Sequence, residues 1–370
     1  MSNNNELAIK RQRLAEFLSR HKLDGVLLWQ RNNFAWITAG RDNHIANNSP
    51  LGVAAIFATA DSSTCFTNTI EAPRMRDEEL AGSGIDVVAF PWWDRVAGAK
   101  ILRELIAGRR VACDGDDLGL DLPPLPKEFA QLRWSLTQEE IARYRDGAQR
   151  ASRSMEQASH DLHPGMHEHD AAGLLDHHVH ASGCNPIVTL IAADDRIRRF
   201  RHPIPTKQRI ERHVMLVTCA EFGGLISCLT RFVHFGPLTA ELHEKQRAIC
   251  AIDATVNAAT KAGRTLGEIF RDLQHAFADN GHADQWQHHH QGGSTGYAGR
   301  EAFATPDSDI RVLDNQAFAW NPSIVGAKSE DTVLCTAAGI EILTKSSPQW
   351  PMIDTSAPAP LNRRPGVLVR

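Results

Sequence analysis

The most informative stretch of the chain is His288-His289-His290-Gln291-Gly292-Gly293-Ser294-Thr295-Gly296-Tyr297, which runs on to Arg300-Glu301. Three adjacent histidines followed by paired glycines are too polar and too flexible to fill a core. Glycines at 292, 293, 296 and 299 permit a positive φ or a close approach of two backbones. Imidazoles near neutral pH serve as metal ligands, general bases or hydrogen-bond donors. The alternative is an exposed histidine-rich loop, and the other motifs of the sequence are needed to choose between the two interpretations.

Length and composition describe an ordinary globular protein. The 370 residues are 42% hydrophobic and 23% charged, which allows about two domains with a sizeable core. A formal charge of −4 gives no reason to expect nucleic acid or a membrane surface as a partner, and no apolar run is long enough to span a bilayer. The first residues lead into a charged amphipathic segment instead of a signal sequence. Seven cysteines, odd in number and without a CxxC pair, favour reduced thiols in the cytoplasm.

Short elements of both types fill roughly the first 120 residues. Charged and apolar residues alternate at helical spacing over 6–21, which predicts an amphipathic helix. An apolar run at 34–37 ends near Gly40. Mixed strands and helices predict an α/β domain, and prolines at 123, 124 and 126 interrupt regular structure, so we place the domain boundary at residue 135. The remaining elements are strands at 25–29, 52–57, 63–68, 85–90 and 110–114, and a helix at 99–106.

The pattern changes from Thr137, which offers an N-cap with a carboxylate at Glu140. Long helices alternate with strands up to residue 354, which predicts a second domain over 136–354. The proline-rich segment 355–370 is predicted to be a poorly ordered tail. The predicted elements are helices at 137–162, 167–182, 239–262 and 266–279 and strands at 187–191, 214–219, 224–228, 316–320 and 332–335.

Several short motifs follow one another in this second domain. They are His163-Pro164-Gly165 between the first two helices, Thr230-Arg231, His289 before Gly292, Asn321-Pro322 and Glu330-Asp331-Thr332-Val333. In this order they resemble the catalytic domain of the creatinase, aminopeptidase P, prolidase and methionine aminopeptidase family. The first domain resembles the N-terminal domain of creatinase and prolidase. The resemblance implies an α+β protein, with a pita-bread catalytic domain over 136–354 preceded by an α/β creatinase-type domain over 1–135.

The sequence departs from this family at the metal ligands. The family's metallopeptidases bind two ions through Asp, Asp, His, Glu and Glu. Those positions correspond to Val217, Cys228, His289, Asn321 and Glu330. Valine cannot bind a cation, and a neutral amide supplies no carboxylate to bridge two ions. We therefore expect no metal pair and no cofactor. A single zinc on Cys228, His289 and Glu330 stays open by ligand type, although a small buried residue is the favoured interpretation of Cys228.

Creatinase, which works without a metal, offers the better likeness at these positions. His202 falls on the histidine that serves as its general acid/base, and Tyr297–Glu301 resembles its Tyr-Tyr-Gly-Arg-Glu. The resemblance implies a metal-independent hydrolase of a non-peptide C–N bond. His202 would transfer the proton, His289 and Asn321 would hydrogen-bond the reacting group, and Glu330 would orient substrate or base.

The predicted substrate differs from creatine. The glutamates that hold the guanidinium of creatine fall on Thr230 and Asn321, while Arg231, Arg300 and Lys328 make the pocket cationic. We therefore expect a small substrate with an anionic group, held by arginine, although Arg231 is equally suited to a salt bridge inside the sheet. The predicted substrate-binding residues are Asn321, Arg231, Thr230, Arg300, His290 and Cys228.

Two charged or polar segments complete the prediction. The charge run 194–201 is typical of a solvated loop and, directly before His202, would lie at the rim of the cleft. By the resemblance, the protein is a homodimer in which the first domain of one subunit covers the site of the other, and the Asp42-Asn43-His44 loop would contribute there. Two alternatives stay open: a metallopeptidase of the Xaa-Pro type with a degraded site, and a pita-bread protein that binds a ligand without catalysis.

Overall fold

The computed structural model describes residues 3–370, and their side chains from residue 5 onward. The first two residues of the predicted N-terminal segment lie outside this description. Contacts divide the chain into two units, one ending at 133 but including 137–140, and one made of 134–136 and 141–370. This division lies close to the boundary predicted at residue 135. None of the helices among residues 3–370 combines the length and the apolar character that crossing a bilayer requires.

The first unit is a five-stranded sheet with helices on it. Strand order is β4-β3-β2-β1-β5; β2 is antiparallel to both neighbours, whereas β3–β4 and β1–β5 are parallel. The run at 34–37 belongs to a helix and not to a strand. The elements are α1 (Asn3–His21), β1 (Gly25–Gln30), α2 (Arg31–Ile37), β2 (Leu51–Ala58), β3 (Ser63–Asn68), α3 (Ala72–Arg74) with a π-helical turn (Met75–Glu79), β4 (Asp86–Phe90), α4 (Arg95–Leu105), β5 (Val111–Cys113) and a 3₁₀ helix (Lys127–Arg133).

The second unit combines two larger sheets with long helices. One sheet has the order β18-β8-β7-β6 and the other β10-β9-β11-β14-β15. The elements are α5 (Gln138–Asp161), α6 (Glu168–Ala181), β6 (Asn185–Ala193), α7 (Asp195–Arg199), β7 (His213–Phe222), β8 (Leu225–His234), α8 (Ala240–Ala259), α9 (Leu266–Asp279), a 3₁₀ helix (Gln285–His288), β9 (Gly292–Thr295), β10 (Ala302–Phe303), β11 (Gln316–Trp320), β12 (Ser323–Ile324), β13 (Ala327–Lys328), β14 (Asp331–Thr336), β15 (Gly339–Ile342), β16 (Met352–Asp354), β17 (Arg363–Pro365) and β18 (Val367–Val369).

Local sequence explains where these elements begin and end. Helix α9 starts at a capping box in which Thr265 and Glu268 satisfy each other's backbone amides. Strands β7 and β8 form a hairpin around Gly223 and Gly224, which both have positive φ. The buried residues of β8 run without interruption because the strand is covered on both faces. The bounds predicted for β3, α9 and β11 are those observed.

Two predictions about segments were wrong. Residues 195–199 of the charge run form the short helix α7 instead of an irregular loop. The segment predicted to be a poorly ordered tail forms β17 and β18, and β18 pairs in parallel with β8. The physical reason lies in Arg364, whose fully buried side chain forms ion pairs with Asp253 and Asp331 at 2.5 and 2.8 Å. Such long-range contacts outweigh the local effect of the prolines.

Candidate active site

His202 lies after α7, on the way to β7, and its side chain is exposed. The preceding residue fixes it in place. Arg201 donates from Nη1 to the carbonyl oxygen of Ile324 at 2.6 Å and from Nη2 to Oε1 of Gln285 at 3.0 Å. A planar guanidinium with two partners orients its neighbours well. Arg201 therefore holds His202 against the segments that surround β12.

The paired glycines place the other two histidines. Gly292 has φ of +105°, and a Cβ there would lie 2.4 Å from the carbonyl oxygen of Ala319. Gly293 has φ of +150°, and its Cβ would lie 2.1 Å from the carbonyl oxygen of Ala302. Only glycine lets β9 pass this closely between β10 and β11. The other two glycines of the motif, at 296 and 299, show neither a positive φ nor a close backbone neighbour.

Three imidazoles meet in the space that this backbone creates. Nε2 of His289 lies 3.0 Å from Nε2 of His202, and the ring of His290 stacks on His289 with 4.4 Å between centroids. Nδ1 of His289 contacts the hydroxyl of Ser323 at 3.2 Å. The structure thus brings together His202, His289 and His290, all three of which were predicted as site residues. Sequence reasoning missed Ser323, although it directly follows the Asn321-Pro322 motif.

Glu330 is the buried carboxylate of this site, with a side chain 2% exposed. Its Oε2 lies 2.7 Å from Lys328 Nζ and accepts a 2.7 Å hydrogen bond from Thr230 Oγ1. Its Oε1 lies 3.6 Å from Nη2 of Arg300. Burial raises the pKa of Glu330, but Lys328 and Arg300 outweigh burial, so that the pKa falls below its usual value. The carboxylate is therefore charged at neutral pH.

The same surroundings keep the imidazoles neutral. Burial, helped by the charge of Lys328, lowers the pKa of His289 to about 2. Burial and Arg300 lower the pKa of His290 to about 4. For His202, which is exposed but has lost part of its hydration, this partial desolvation and the charge of Lys328 lower the pKa, while Glu330 acts in the opposite direction. All three rings therefore carry a lone pair at pH 7. We call this set, with Arg300, Lys328 and Glu330, the histidine pocket.

Asn321 and Cys228 lie beside the histidine pocket and differ in their hydrogen bonding. The backbone N–H of Asn321 donates to the carbonyl oxygen of Gln291 at 3.1 Å, and its buried Oδ1 has no hydrogen-bond partner. Cys228 is fully buried on β8, opposite Cys219 on β7, with Nη1 of Arg300 3.8 Å from its sulfur. A hydrogen bond from Cys219, together with Arg300, lowers the pKa of Cys228. Asn321 thus offers an unsatisfied acceptor, whereas Cys228 fills space below the pocket.

Arg231 does not take the substrate-binding place that was predicted for it. Its side chain is 1% exposed, and its Nη2 lies 2.7 Å from Oδ1 of Asp331. Nη1 donates to the carbonyl oxygen of Thr230 at 2.8 Å. Because a buried guanidinium needs a buried counter-ion, Arg231 belongs to the salt bridge within the sheet, the alternative left open by the sequence. Thr230 likewise has its hydroxyl engaged with Glu330.

The Asp42–His44 loop lies in the first unit, where its polar groups bind each other. The backbone N–H of His44 donates to Oδ1 of Asp42 at 2.9 Å, and Nδ1 of His44 contacts Oδ2. The backbone N–H of Asp42 donates to Oε2 of Glu79 at 3.0 Å. These contacts give the loop a fixed shape. Its contribution to another subunit stays a prediction.

The fold and the pocket define a pita-bread domain that follows a creatinase-type first domain along the chain. The family model of metallopeptidase family M24 matches residues 142–337, more than half of the chain. The model of the creatinase/prolidase N-terminal domain matches residues 10–145. The chain belongs to metallopeptidase family M24.

Known proteins resemble it over almost its whole length. An Xaa-Pro dipeptidase of Pyrococcus furiosus is 23% identical over 357 residues, which cover 90% of this chain and 97% of that protein. The structure of an Xaa-Pro dipeptidase from Bacillus anthracis matches with a TM-score of 0.77 at 19% identity, over 98% of this chain and all of the other. The N-terminal domain of the FACT complex subunit SPT16 from Eremothecium gossypii matches with a TM-score of 0.67 at 11% identity, over 93% and 96%. A shared fold of this kind does not fix an activity.

The residues present do not fit the two-metal centre of this family's peptidases. Valine at 217 and the amide of Asn321 offer no anionic oxygen, and the carboxylate of Glu330 is already bound to Lys328 Nζ at 2.7 Å. A pair of hard divalent cations needs several carboxylate oxygens to offset loss of water and mutual repulsion. Within residues 3–370, Cys228, His289 and Glu330 are not close enough together to bind one ion. The single zinc site that the sequence left open is therefore not present.

Proposed function

We propose that this protein hydrolyses a C–N bond of a small, anionic substrate at the histidine pocket, with His202 moving the proton and without a pair of metal ions. The observation that carries the proposal is the 3.0 Å contact between Nε2 of His202 and Nε2 of His289. It joins an exposed imidazole to a partly buried one that Ser323 anchors from the other side. An oriented, neutral imidazole at a solvent-facing position is suited to act as a general base.

One arrangement of protons leaves His202 free to act. Nδ1–H of His289 donates to the hydroxyl of Ser323, and Nε2 of His289 accepts from Nε2–H of His202. Nδ1 of His202 then keeps its lone pair and takes a proton from water as the water attacks the substrate. The same nitrogen returns the proton to the departing nitrogen. His289 stabilises the imidazolium that forms in between.

The charges of the pocket favour an anionic substrate. Lys328 and Arg300 together face one carboxylate, Glu330, so one positive charge is left over. A carboxylate of the substrate would offset it, whereas the guanidinium of creatine would be repelled. The unpartnered Oδ1 of Asn321 would accept an N–H of the substrate. This hydrogen bond would contribute more binding free energy than an exposed one, because a buried acceptor without a partner is costly.

The relatives favour a peptide-like substrate over the non-peptide one that the creatinase likeness implied. Proteins resembling this chain over most of its length are named Xaa-Pro dipeptidases. A dipeptide with C-terminal proline carries a carboxylate, as the pocket charge requires. We therefore place Xaa-Pro dipeptides first and small acidic amides second. The homodimer, the cytoplasmic location and the covering of the site by a partner's first domain are part of this proposal.

A substrate panel with matched variants tests the proposal. Xaa-Pro dipeptides, acidic amides, ureas and amidines are incubated with the wild-type protein, the His202→Ala variant and the His288→Ala variant. His288 is exposed and is not part of the three-imidazole cluster. We expect kcat/KM to fall by about 10²–10⁴-fold in His202→Ala and to stay unchanged in His288→Ala. Both variants should unfold at the wild-type temperature, because both side chains are exposed.

Three results would contradict the proposal. Near-full activity of His202→Ala would remove His202 from the mechanism. Loss of activity on treatment with a chelator, restored by manganese or cobalt, would support the metallopeptidase alternative. Binding of panel compounds without turnover by any form would instead support a protein that binds ligand without catalysis.

A further inference from the structure

The three imidazoles of the histidine pocket have the arrangement of a metal site. One ligand nitrogen from each of His202, His289 and His290 lies within 4.8 Å of the other two. Within residues 3–370, no other set of three or more histidine, cysteine, aspartate or glutamate side chains comes this close. Nearby imidazoles are common in a chain with 18 histidines, so proximity by itself is not sufficient.

The distance between two of these nitrogens fits a shared ion. Zinc binds imidazole nitrogen at about 2.0–2.1 Å, so two nitrogens on a tetrahedral zinc lie about 3.3 Å apart. The two Nε2 atoms of His202 and His289 lie 3.0 Å apart. The two nitrogens point at each other, and once the proton of His202 has moved to Nδ1 both can bind one ion. To bind an ion between them, the two imidazole nitrogens would have to move apart by only a few tenths of an ångström.

The surroundings of the other nitrogens support the same arrangement. Nδ1 of His289 contacts Ser323 Oγ at 3.2 Å, and a hydrogen bond at the far nitrogen is what orients a metal-bound imidazole. Nδ1 of His290 is buried and has no hydrogen-bond partner. A metal ion at this nitrogen would supply the partner that it lacks.

The ligand types select the kind of ion. Three neutral imidazoles suit zinc, copper or nickel, whereas magnesium and calcium require oxygen ligands. Of the positions that the family uses for its two ions, only His289 takes part. Lys328 and Arg300 repel a cation, and Glu330 offsets one of these two charges. Binding is therefore reversible and weaker than at a structural zinc site.

We propose that His202, His289 and His290 bind one transition-metal ion, with zinc as the model, and that this ion inhibits the protein instead of activating it. An ion at Nε2 of His202 displaces the proton from that nitrogen to Nδ1. The lone pair that takes a proton from water is then lost. The binding is independent of the proposed function, whereas the inhibition rests on it. This response is opposite to that of a metallopeptidase.

The binding is tested without any substrate. Protein treated with a chelator and then desalted is titrated with ZnCl₂ by calorimetry, and with CoCl₂ while the visible absorption is recorded. The forms compared are the full-length wild type and the variants His290→Ala, His202→Asn and His288→Ala. We expect one ion per chain and the absorption bands of cobalt in a low-symmetry nitrogen site. Loss of a hydrogen-bond partner of a ligand costs roughly tenfold or more in affinity, so His290→Ala and His202→Asn should lose at least as much.

His288→Ala is the matched control, because it removes the adjacent exposed histidine and should bind zinc like the wild type. His202→Asn guards against misfolding of His290→Ala, since His202 is exposed. Absence of stoichiometric binding, or equal binding by all four forms, would overturn the site. Once a substrate is known, activity should fall as zinc fills the site. Stoichiometric binding that raises activity would leave the site standing but overturn both the inhibition and the metal-free function.

Discussion

Glu330 and Asp331 are adjacent buried carboxylates, and their partners differ. Asp331 has both oxygens engaged by internal groups: Oδ1 by Arg231 and Thr344, each at 2.7 Å, and Oδ2 by Arg364 at 2.8 Å. Oε2 of Glu330 is well engaged by Lys328 and Thr230, whereas the contact between its Oε1 and Arg300 is long, at 3.6 Å. Asp331 with Arg231, Arg364 and Asp253 forms what we call the buried ion network.

This difference separates a structural carboxylate from a functional one. The carboxylates of the buried ion network have their oxygens engaged by the network's guanidinium groups and by neighbouring hydroxyls, so that removing one arginine leaves a buried charge without its counter-ion. Glu330 keeps capacity on the side that faces the histidine pocket. Glu330 and Asp331 are both buried and both acidic, so neither burial nor residue type distinguishes them. The distinction comes from their contacts. Variants on the two sides should therefore separate stability from activity.

The largest effect is expected from Arg364→Ala. This change leaves Asp253 and the Oδ2 of Asp331 buried without their cation, and breaking such a pair costs about 3–5 kcal/mol. The neighbouring Arg363 is 59% exposed and lies 3.5 Å from an exposed Asp354, so Arg363→Ala should change stability by less than about 1 kcal/mol. Unfolding in urea measures both. Equal losses would show that the network does not carry the stability we assign to it.

A second test extends the comparison to a histidine outside the pocket. Burial, helped by His234, lowers the pKa of His213 to about 4, against opposing effects of Val233 and Asp194. The folded pKa lies below the unfolded value of 6.5, so the stability contribution is present above pH 6.5 and is lost as pH falls toward 4. We expect a loss of about 3 kcal/mol over this range. In urea unfolding at several pH values, His213→Gln should show a shallower slope than wild type, and parallel slopes would contradict the assignment.

A pair of threonines probes the two carboxylates directly. Thr230 donates to Glu330 and Thr344 donates to Asp331, each at 2.7 Å. Replacing either by valine removes a hydrogen bond to a charged group, worth about 1.5–3 kcal/mol of stability. Thr344→Val also removes the acceptor of the Thr332 N–H, so its loss of stability should be the larger of the two. Thr230→Val should in addition lower kcat/KM by about tenfold, because Glu330 loses its orientation. Thr344→Val should leave kcat/KM unchanged. The same loss of activity in both variants would remove the distinction between the two acids.

The smallest effect concerns the backbone that shapes the pocket. Gly293→Ala places a Cβ 2.1 Å from the carbonyl oxygen of Ala302 at a φ of +150°, and we expect a loss of about 1–3 kcal/mol of stability as β9 shifts. Gly299→Ala meets nothing within 4 Å and should be neutral. Thermal unfolding distinguishes the two. A neutral Gly293→Ala would mean that the strand can adjust without cost.

The sequence was sufficient for most of the fold because its signals are local or in a fixed order. The helical period and capping residues of 266–279 are contained in that segment, and the bounds predicted there are those observed. The motifs from Pro164 to Val333 predicted the family, which the family models confirm. The segment 355–370 was misjudged because its order depends on Arg364 reaching Asp253, 111 residues away in the chain.

The site was only partly predictable. The His289 and Gly292 motif indicated the pocket, and Gly293 indicated the close approach of strands. The pairing of Arg231 with Asp331 and the proximity of His202 and His290 depend on distances between segments that no spacing in the sequence encodes. For the same reason the sequence could not distinguish Glu330, which keeps capacity for a ligand, from Asp331, which has none.

The buried ion network also constrains the order of folding. Asp253 and Asp331 precede Arg364 in the chain, so during synthesis both carboxylates exist before the cation that lies between them. Until β17 docks, Asp253 lacks its cation, whereas Asp331 can already pair with Arg231. Closing a loop of 111 residues is slow relative to local helix formation. The second unit should therefore reach its native packing late, when Arg364 binds, and nascent chains should be exposed to proteases until that contact forms.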